Sequence, residues 1–157
     1  MTKELKQEYT LRISRANKSE LVVILYEMLI DYIDEAKENL DKKDDPAFKE
    51  SIRRAQACIR ELISSIIPGN ELSGKLLSLY IYSQKLLGRA SIHNTDEELK
   101  EVKAIMNKLH EASKEAAKAD KSKGLMGNSQ AVYAGLTYGK ESLIVNVSEN
   151  TGRGITV

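Results

Sequence analysis

From Asn17 onward, apolar side chains return every three or four positions: Leu21, Ile24, Leu25, Met28, Leu29, Tyr32, Ile33, Ala36 and Leu40. That spacing gathers them on one face of a helix. Asn17 with Glu20 three residues later predicts a capping box at its start. A second segment opens at Asp45-Pro46, read as an N-cap followed by proline at the first helical position. It continues through Phe48, Ile52, Ala55, Ile59, Leu62, Ile63 and Ile66 until Pro68-Gly69 stops it. The third spans Glu71 to Arg89, with Leu72, Leu76, Leu79, Ile81, Leu86 and Leu87. The fourth begins at Thr95, where Glu98 completes a second predicted capping box, and carries Leu99, Val102, Met106, Leu109 and Ala116. Short connections between helices of similar length favour antiparallel neighbours. The expected fold is all-α, an antiparallel up-down four-helix bundle.

Two of these segments carry more apolar surface than a bundle helix needs. Between Leu21 and Ile30 only Glu27 is polar, whereas a bundle helix shows three or four apolar positions in seven. Val22, Val23, Tyr26 and Ile30 fall largely outside the core stripe. In the third segment, Leu76, Leu77, Leu79, Tyr80, Ile81 and Tyr82 spread over more than one face. Burying one Leu or Val side chain is worth roughly 1.5–3 kcal/mol, so something should cover this surface. The candidates are the N-terminal segment with Tyr9, Leu11 and Ile13, the C-terminal extension, or another polypeptide. A groove that receives a partner helix is the functional form of the last.

The C-terminal extension has a character of its own. Of 157 residues, 1–120 hold 20 basic and 21 acidic side chains, and the remaining 37 hold four and two. Six of the nine glycines lie in the last 34 residues. Ala131-Val132-Tyr133 and Leu143-Ile144-Val145 have strand-like composition. Disorder, a small hairpin or a strap along the bundle all remain open for this stretch. Three units result: a capping segment at 1–16, a helical bundle at 17–120 and a glycine-rich extension at 121–157.

Charge and chemistry narrow the function. A formal net charge of +1 argues against a nucleic-acid binder that neutralises many phosphates. The polar start shows no signal peptide, and the longest apolar run, Leu21–Tyr26, is too short to span a bilayer. A lone Cys58 excludes an internal disulfide and fits a reducing compartment, so a cytosolic protein is expected. Cys58 itself, inside an apolar helix, reads as a small buried hydrophobe. Neither histidine ends a Glu-x-x-His pair, since Asn107 precedes His110 and Ala90 precedes His93 at that spacing; both read as surface residues, and no metal or other cofactor is expected. No glycine-rich phosphate loop is present. The chain reads as a binding protein without a catalytic site.

Four stretches in order carry a family resemblance. Glu20-Leu-Val-Val-Ile-Leu-Tyr-Glu27, Ile52-Arg-Arg-Ala-Gln-Ala-Cys-Ile-Arg-Glu-Leu62, Leu79-Tyr-Ile-Tyr82 and Asp96-Glu-Glu-Leu-Lys-Glu-Val102 resemble the flagellar secretion chaperone FliS family. The resemblance runs from about Ser19 to Ala116. It implies a cytosolic chaperone that binds the C-terminal segment of flagellin, prevents premature polymerisation and delivers the subunit to the flagellar export apparatus. Some relatives also contact other flagellar regulators. The implied flagellin-binding residues are Leu21, Leu25, Tyr26, Leu79 and Tyr82, with Arg54 and Gln56 as polar anchors. Tyr9, Leu11 and Ile13 would cap the site. Met28-Leu29 stand where many relatives have small residues, and would fill space that those leave open. Ala112-Ser113 stand where the family often has an aromatic. The competing expectation is a structural module that covers its apolar faces by self-association, as a homodimer or larger species.

Overall fold

The computed structural model describes residues 1–124, and these contain five α-helices and no strand. They are α1 (Lys3–Arg15), α2 (Lys18–Asp41), α3 (Asp45–Ser64), α4 (Glu71–His93) and α5 (Glu97–Ala119). The four segments expected from periodicity are α2 to α5. The two strand-like triplets of the extension lie outside the described residues.

The helix starts follow local chemistry. At α2 the capping box forms in full: the Asn17 side chain accepts from the Glu20 N–H at 2.9 Å, and the Asn17 N–H donates to the Glu20 carboxylate at 3.0 Å. At α3 the cap is Asp44 rather than Asp45; its carboxylate accepts from the Ala47 N–H at 3.1 Å, which places Pro46 one residue further in. At α5 the expected capping box does not form. The Thr95 hydroxyl donates to the Glu98 carboxylate at 2.6 Å, and the cap position passes to Asp96, whose side chain makes no cap bond.

Helix α1 was not expected from periodicity. Thr2 caps it by accepting from the Leu5 N–H at 3.2 Å. Its apolar stripe is only one residue wide per turn: Leu5, Tyr9, Ile13 and then Ala16, with charged residues between. Tyr9, Ile13 and Ala16 are buried. So narrow a stripe gains its stability by docking, because short isolated helices are marginal in water.

Helix α2 is the central element, in contact with α1, α3 and α5, while α4 packs against α3 and α5. The core joins Leu25, Met28, Leu29 and Tyr32 of α2 to Phe48, Ile52, Ile59 and Leu62 of α3, Leu86 and Leu87 of α4, and Leu99, Val102 and Met106 of α5. Contacts between α2 and α5 run in opposite sequence order. Asp34 meets Lys103 at 2.6 Å, Glu27 meets His110 at 3.2 Å, and Ser19 meets Asp120 at 2.6 Å. His110 is therefore half-buried between helices, not a free surface residue as expected. Cys58 is fully buried as expected, and burial pushes its thiol pKa up. No described helix is long and apolar enough to cross a membrane.

Much of the excess apolar surface of α2 is now accounted for. Val23, which shares a groove with Arg12 and Arg15 of α1, and Tyr26, which meets Tyr80 of α4, are buried, and Val22 and Ile30 are half-buried. On α4 the excess is not covered by the described residues: Leu72, Leu77, Ile81, Tyr82 and Ile92 remain exposed.

Candidate functional site

At the end of the bundle where α2 begins and α5 ends, four elements enclose an open groove of about 530 Å³. Helix α2 contributes Val22 and Tyr26, and the α3–α4 connection contributes Ile66 and Ile67. Helix α4 adds Leu72, Leu76 and Tyr80, and α5 adds Leu109, Ala112, Ser113 and Ala116. Ser19, Ser65, Asn70 and Ser73 complete the lining. No lining residue carries a charge.

Local bonds set the walls. Gly69 takes φ +114°, a conformation that L side chains rarely adopt, and so lets the chain turn after Pro68. Asn70 caps α4 by accepting from the Ser73 N–H at 2.8 Å, and the Ser73 hydroxyl donates to the Ile67 carbonyl at 2.6 Å. Those bonds hold Ile67 (67% exposed) and Leu72 (65% exposed) side by side on the rim. At the base, the buried hydroxyls of Tyr26 and Tyr80 share a hydrogen bond. Burial, above all, raises both phenol pKa values, so the base is uncharged near neutral pH. On the α5 wall three of the four side chains, Ala112, Ser113 and Ala116, are small. Ala112 and Ser113 leave that side open.

Helix α1 is fixed along α2 by three acidic groups at successive helical turns. The Met1 amine meets Glu35 at 2.6 Å, the Tyr9 hydroxyl donates to Asp31 at 2.5 Å, and Arg12 meets Glu27 at 2.5 Å. The Arg12 guanidinium also lies 5.6 Å from the centre of the Tyr9 ring. Desolvation raises the Asp31 pKa, against the lowering effect of the Tyr9 hydrogen bond. A second groove, between α1, α2 and α5, is lined by the apolar Ala16, Val23, Ile24 and Ala117 and by the charged Arg12, Arg15, Glu20, Lys114 and Lys118.

The residues singled out from sequence fall in several places. Tyr26 alone among them lines the uncharged groove. Leu21 and Leu25 are wholly buried in the core, and Leu79 is half-buried outside the lining. Tyr82 is 42% exposed on α4, where its hydroxyl donates to Glu101 of α5. Arg54 is held by Glu50 at 2.9 Å and lies 6.0 Å from the centre of the Tyr32 ring. Gln56 accepts, through its backbone carbonyl, from the Gln84 amide at 3.0 Å. Of the cap residues, Tyr9 and Ile13 are buried, while Leu11 is 51% exposed. Met28 and Leu29 are fully buried in the core and are absent from the groove lining, so they do not fill it.

Sequence reasoning missed Ile67, Ala112 and Ser113 as wall residues, and assigned Ile66, Leu72 and Leu109 to helix stripes alone. One signal was available: Ile66-Ile67 directly before Pro68-Gly69 puts two large apolar side chains at a helix exit, where a core stripe needs one.

The lining holds no carboxylate, imidazole, amine or thiol; its polar side chains are serine and tyrosine hydroxyls and the Asn70 amide. It can bind an apolar segment in extended or helical form.

Comparison with known proteins agrees with the sequence resemblance. The family model described as "Flagellar protein FliS" matches residues 1–120, which takes in α1 as well as the four longer helices. The match ends where α5 ends. The chain is also 27% identical over 109 residues to a protein of Bacillus subtilis (strain 168) named "Flagellar secretion chaperone FliS", covering 69% of this chain and 82% of the relative. With three quarters of its length matched by that model, the chain belongs to the FliS family of flagellar proteins.

Proposed function

We propose that this protein is a cytosolic flagellar secretion chaperone. It holds the C-terminal segment of flagellin against the uncharged groove and the exposed face of α4, prevents premature polymerisation, and delivers the subunit to the export apparatus. The observation that carries this reading is the groove itself, an apolar, chargeless site left open on a chain of this family. It is a binding site rather than a reaction centre, and the reading assigns no enzymatic role. The opposed sequence order of the α2–α5 contacts supports an antiparallel up-down arrangement of α2 to α5, with α1 laid along α2.

The physics suits such a client. A segment that orders only on binding loses conformational entropy and needs a large apolar contact to offset it. The groove and the neighbouring Leu77, Ile81 and Tyr82 of α4 together offer surface on several turns of helix. Calorimetric titration of the full chain with a synthetic C-terminal flagellin segment tests this. One-to-one binding with a large negative heat-capacity change is expected, and Leu72→Glu should abolish it. Absence of heat at several temperatures, with the protein folded, would overturn the reading.

The exposed α4 residues favour one alternative, self-association through that face. It predicts a mass by light scattering that rises with concentration, and no response to flagellin peptides. A monomer at every dilution removes it.

A further inference from the structure

The groove has a second candidate occupant within the same chain. After α5 the backbone does not leave the body of the protein. The Asp120 carboxylate accepts from the Ser19 hydroxyl at 2.6 Å and from the Ser122 N–H at 2.8 Å. The Ser122 carbonyl accepts from the Asn17 side chain at 3.1 Å. Gly124 comes so near α1 that a Cβ there would sit 2.6 Å from the Arg15 carbonyl oxygen. Ser19 is a lining residue of the groove. The 33 residues after Gly124 therefore start between the two grooves, with Ser19 lining the uncharged one and Arg15 and Ala16 lining the second.

The chemistry of the next residues matches the groove. From Leu125 to Gly139 the chain carries no charge over 15 residues, the longest uncharged run in the sequence. That run holds Leu125, Met126, Val132, Tyr133, Leu136 and Tyr138. An uncharged apolar run gains most from a site whose lining is uncharged and apolar. The second groove, whose lining carries the charges of Arg12, Arg15, Glu20, Lys114 and Lys118, offers it no such match. Reach is no obstacle, because ten extended residues span roughly 33 Å, about the length of the 24-residue α2.

We propose that residues 125–139 occupy the uncharged groove when no client is bound, as an intramolecular competitor for it. Deepening the chaperone reading, this assigns the extension beyond the family match a regulatory role. Tethering gives such a segment an effective concentration in the millimolar range, so even a weak contact is well populated. A client then has to displace it, and apparent affinity falls by the fraction of sites left open. A client with more apolar area than this short run wins, whereas a partial or incorrect one does not.

The test uses the full chain, carrying a benzophenone maleimide on Leu72→Cys. Cys58 is fully buried, so the label goes to the new thiol. Irradiation at low protein concentration should join position 72 to the tryptic peptide 124–140 of the same molecule. The same label on Ile92→Cys, exposed at the far end of α4, should not. No product from position 72, equal yields from both positions, or a product only between two copies would overturn the proposal. In the full-chain variant V132D/L136D the product should vanish, and the flagellin segment should bind roughly tenfold tighter if the run closes nine sites in ten. Unchanged affinity where binding is measurable would overturn competition. An intrachain product in a protein that binds no flagellin segment would sink the chaperone reading and leave the occupancy standing.

Discussion

The hydroxyls of Tyr26 on α2 and Tyr80 on α4, 54 positions apart in sequence, meet in one buried hydrogen bond at the base of the groove. Each ring is almost wholly enclosed, so each hydroxyl depends on the other for its partner. Tyr26→Phe therefore leaves the Tyr80 hydroxyl buried and unpaired, at a cost of about 1–3 kcal/mol, and the converse substitution does the same. With both hydroxyls removed no orphan remains, and the double variant should cost less than the sum of the singles. Urea unfolding of the four proteins measures the coupling. Strict additivity would mean that each hydroxyl finds water when its partner is lost.

Leucines of the two kinds, core and rim, should respond very unequally to the same change. Leu25 is 0% exposed, so Leu25→Glu buries a carboxylate without a partner and should cost more than about 3 kcal/mol. The family resemblance implies Leu25 at the client site, whereas the structure seals its side chain in the core. Leu72 stands on the rim, and Leu72→Glu should shift stability by only about 0.5 kcal/mol. Thermal unfolding of the two variants checks the contrast, and comparable losses would place Leu72 in the core.

The parts of the fold legible in the sequence are those that a linear pattern encodes. Periodicity at three and four residues found α2 to α5 because each buries a broad stripe, and Asn17 with Glu20 announced its capping box through spacing alone. Helix α1 stayed hidden because Tyr9 and Ile13 give one apolar contact per turn, a signal too thin to stand out among charged neighbours. The excess of apolar residues was visible as a surplus; its location was not. Tyr26 and Leu25 are adjacent in sequence, yet one lines the groove and the other is sealed in the core. A wall formed where α3 ends, α4 begins and α5 passes is a tertiary property. Ile67, Leu72 and Ala112 share it only after the chain has folded.

Helix α1 should be the least protected helix, since among the described helices it rests on α2 alone. Ile13→Ala removes a buried anchor worth about 2–5 kcal/mol. The loss should appear first as faster amide hydrogen exchange throughout α1, with α2 and α3 keeping their protection. Leu11→Ala, at a position that faces solvent, should leave exchange unchanged. Equal deprotection of α1 and α3 in the Ile13 variant would show instead that α1 unfolds only with the whole bundle.

Acid should act on two carboxylates in opposite directions. Hydrogen bonds from Ser122 and then Ser19 lower the Asp120 pKa from 3.8 to about 2. Its contribution to stability is thus present above pH 3.8 and is lost as pH falls towards 2. Asp31 is raised instead, chiefly because desolvation disfavours its charged form. The folded state therefore holds its proton more tightly than the unfolded chain does. Ionisation of Asp31 weakens the fold as pH rises from 3.8 through its folded value. Site-resolved carboxyl NMR should find Asp120 titrating near 2 and Asp31 above 3.8. In Asp120→Asn the part of the acid-induced loss due to Asp120 should disappear. The reverse order of titration would mean that Asp120 does not hold Ser19 and Ser122 in solution.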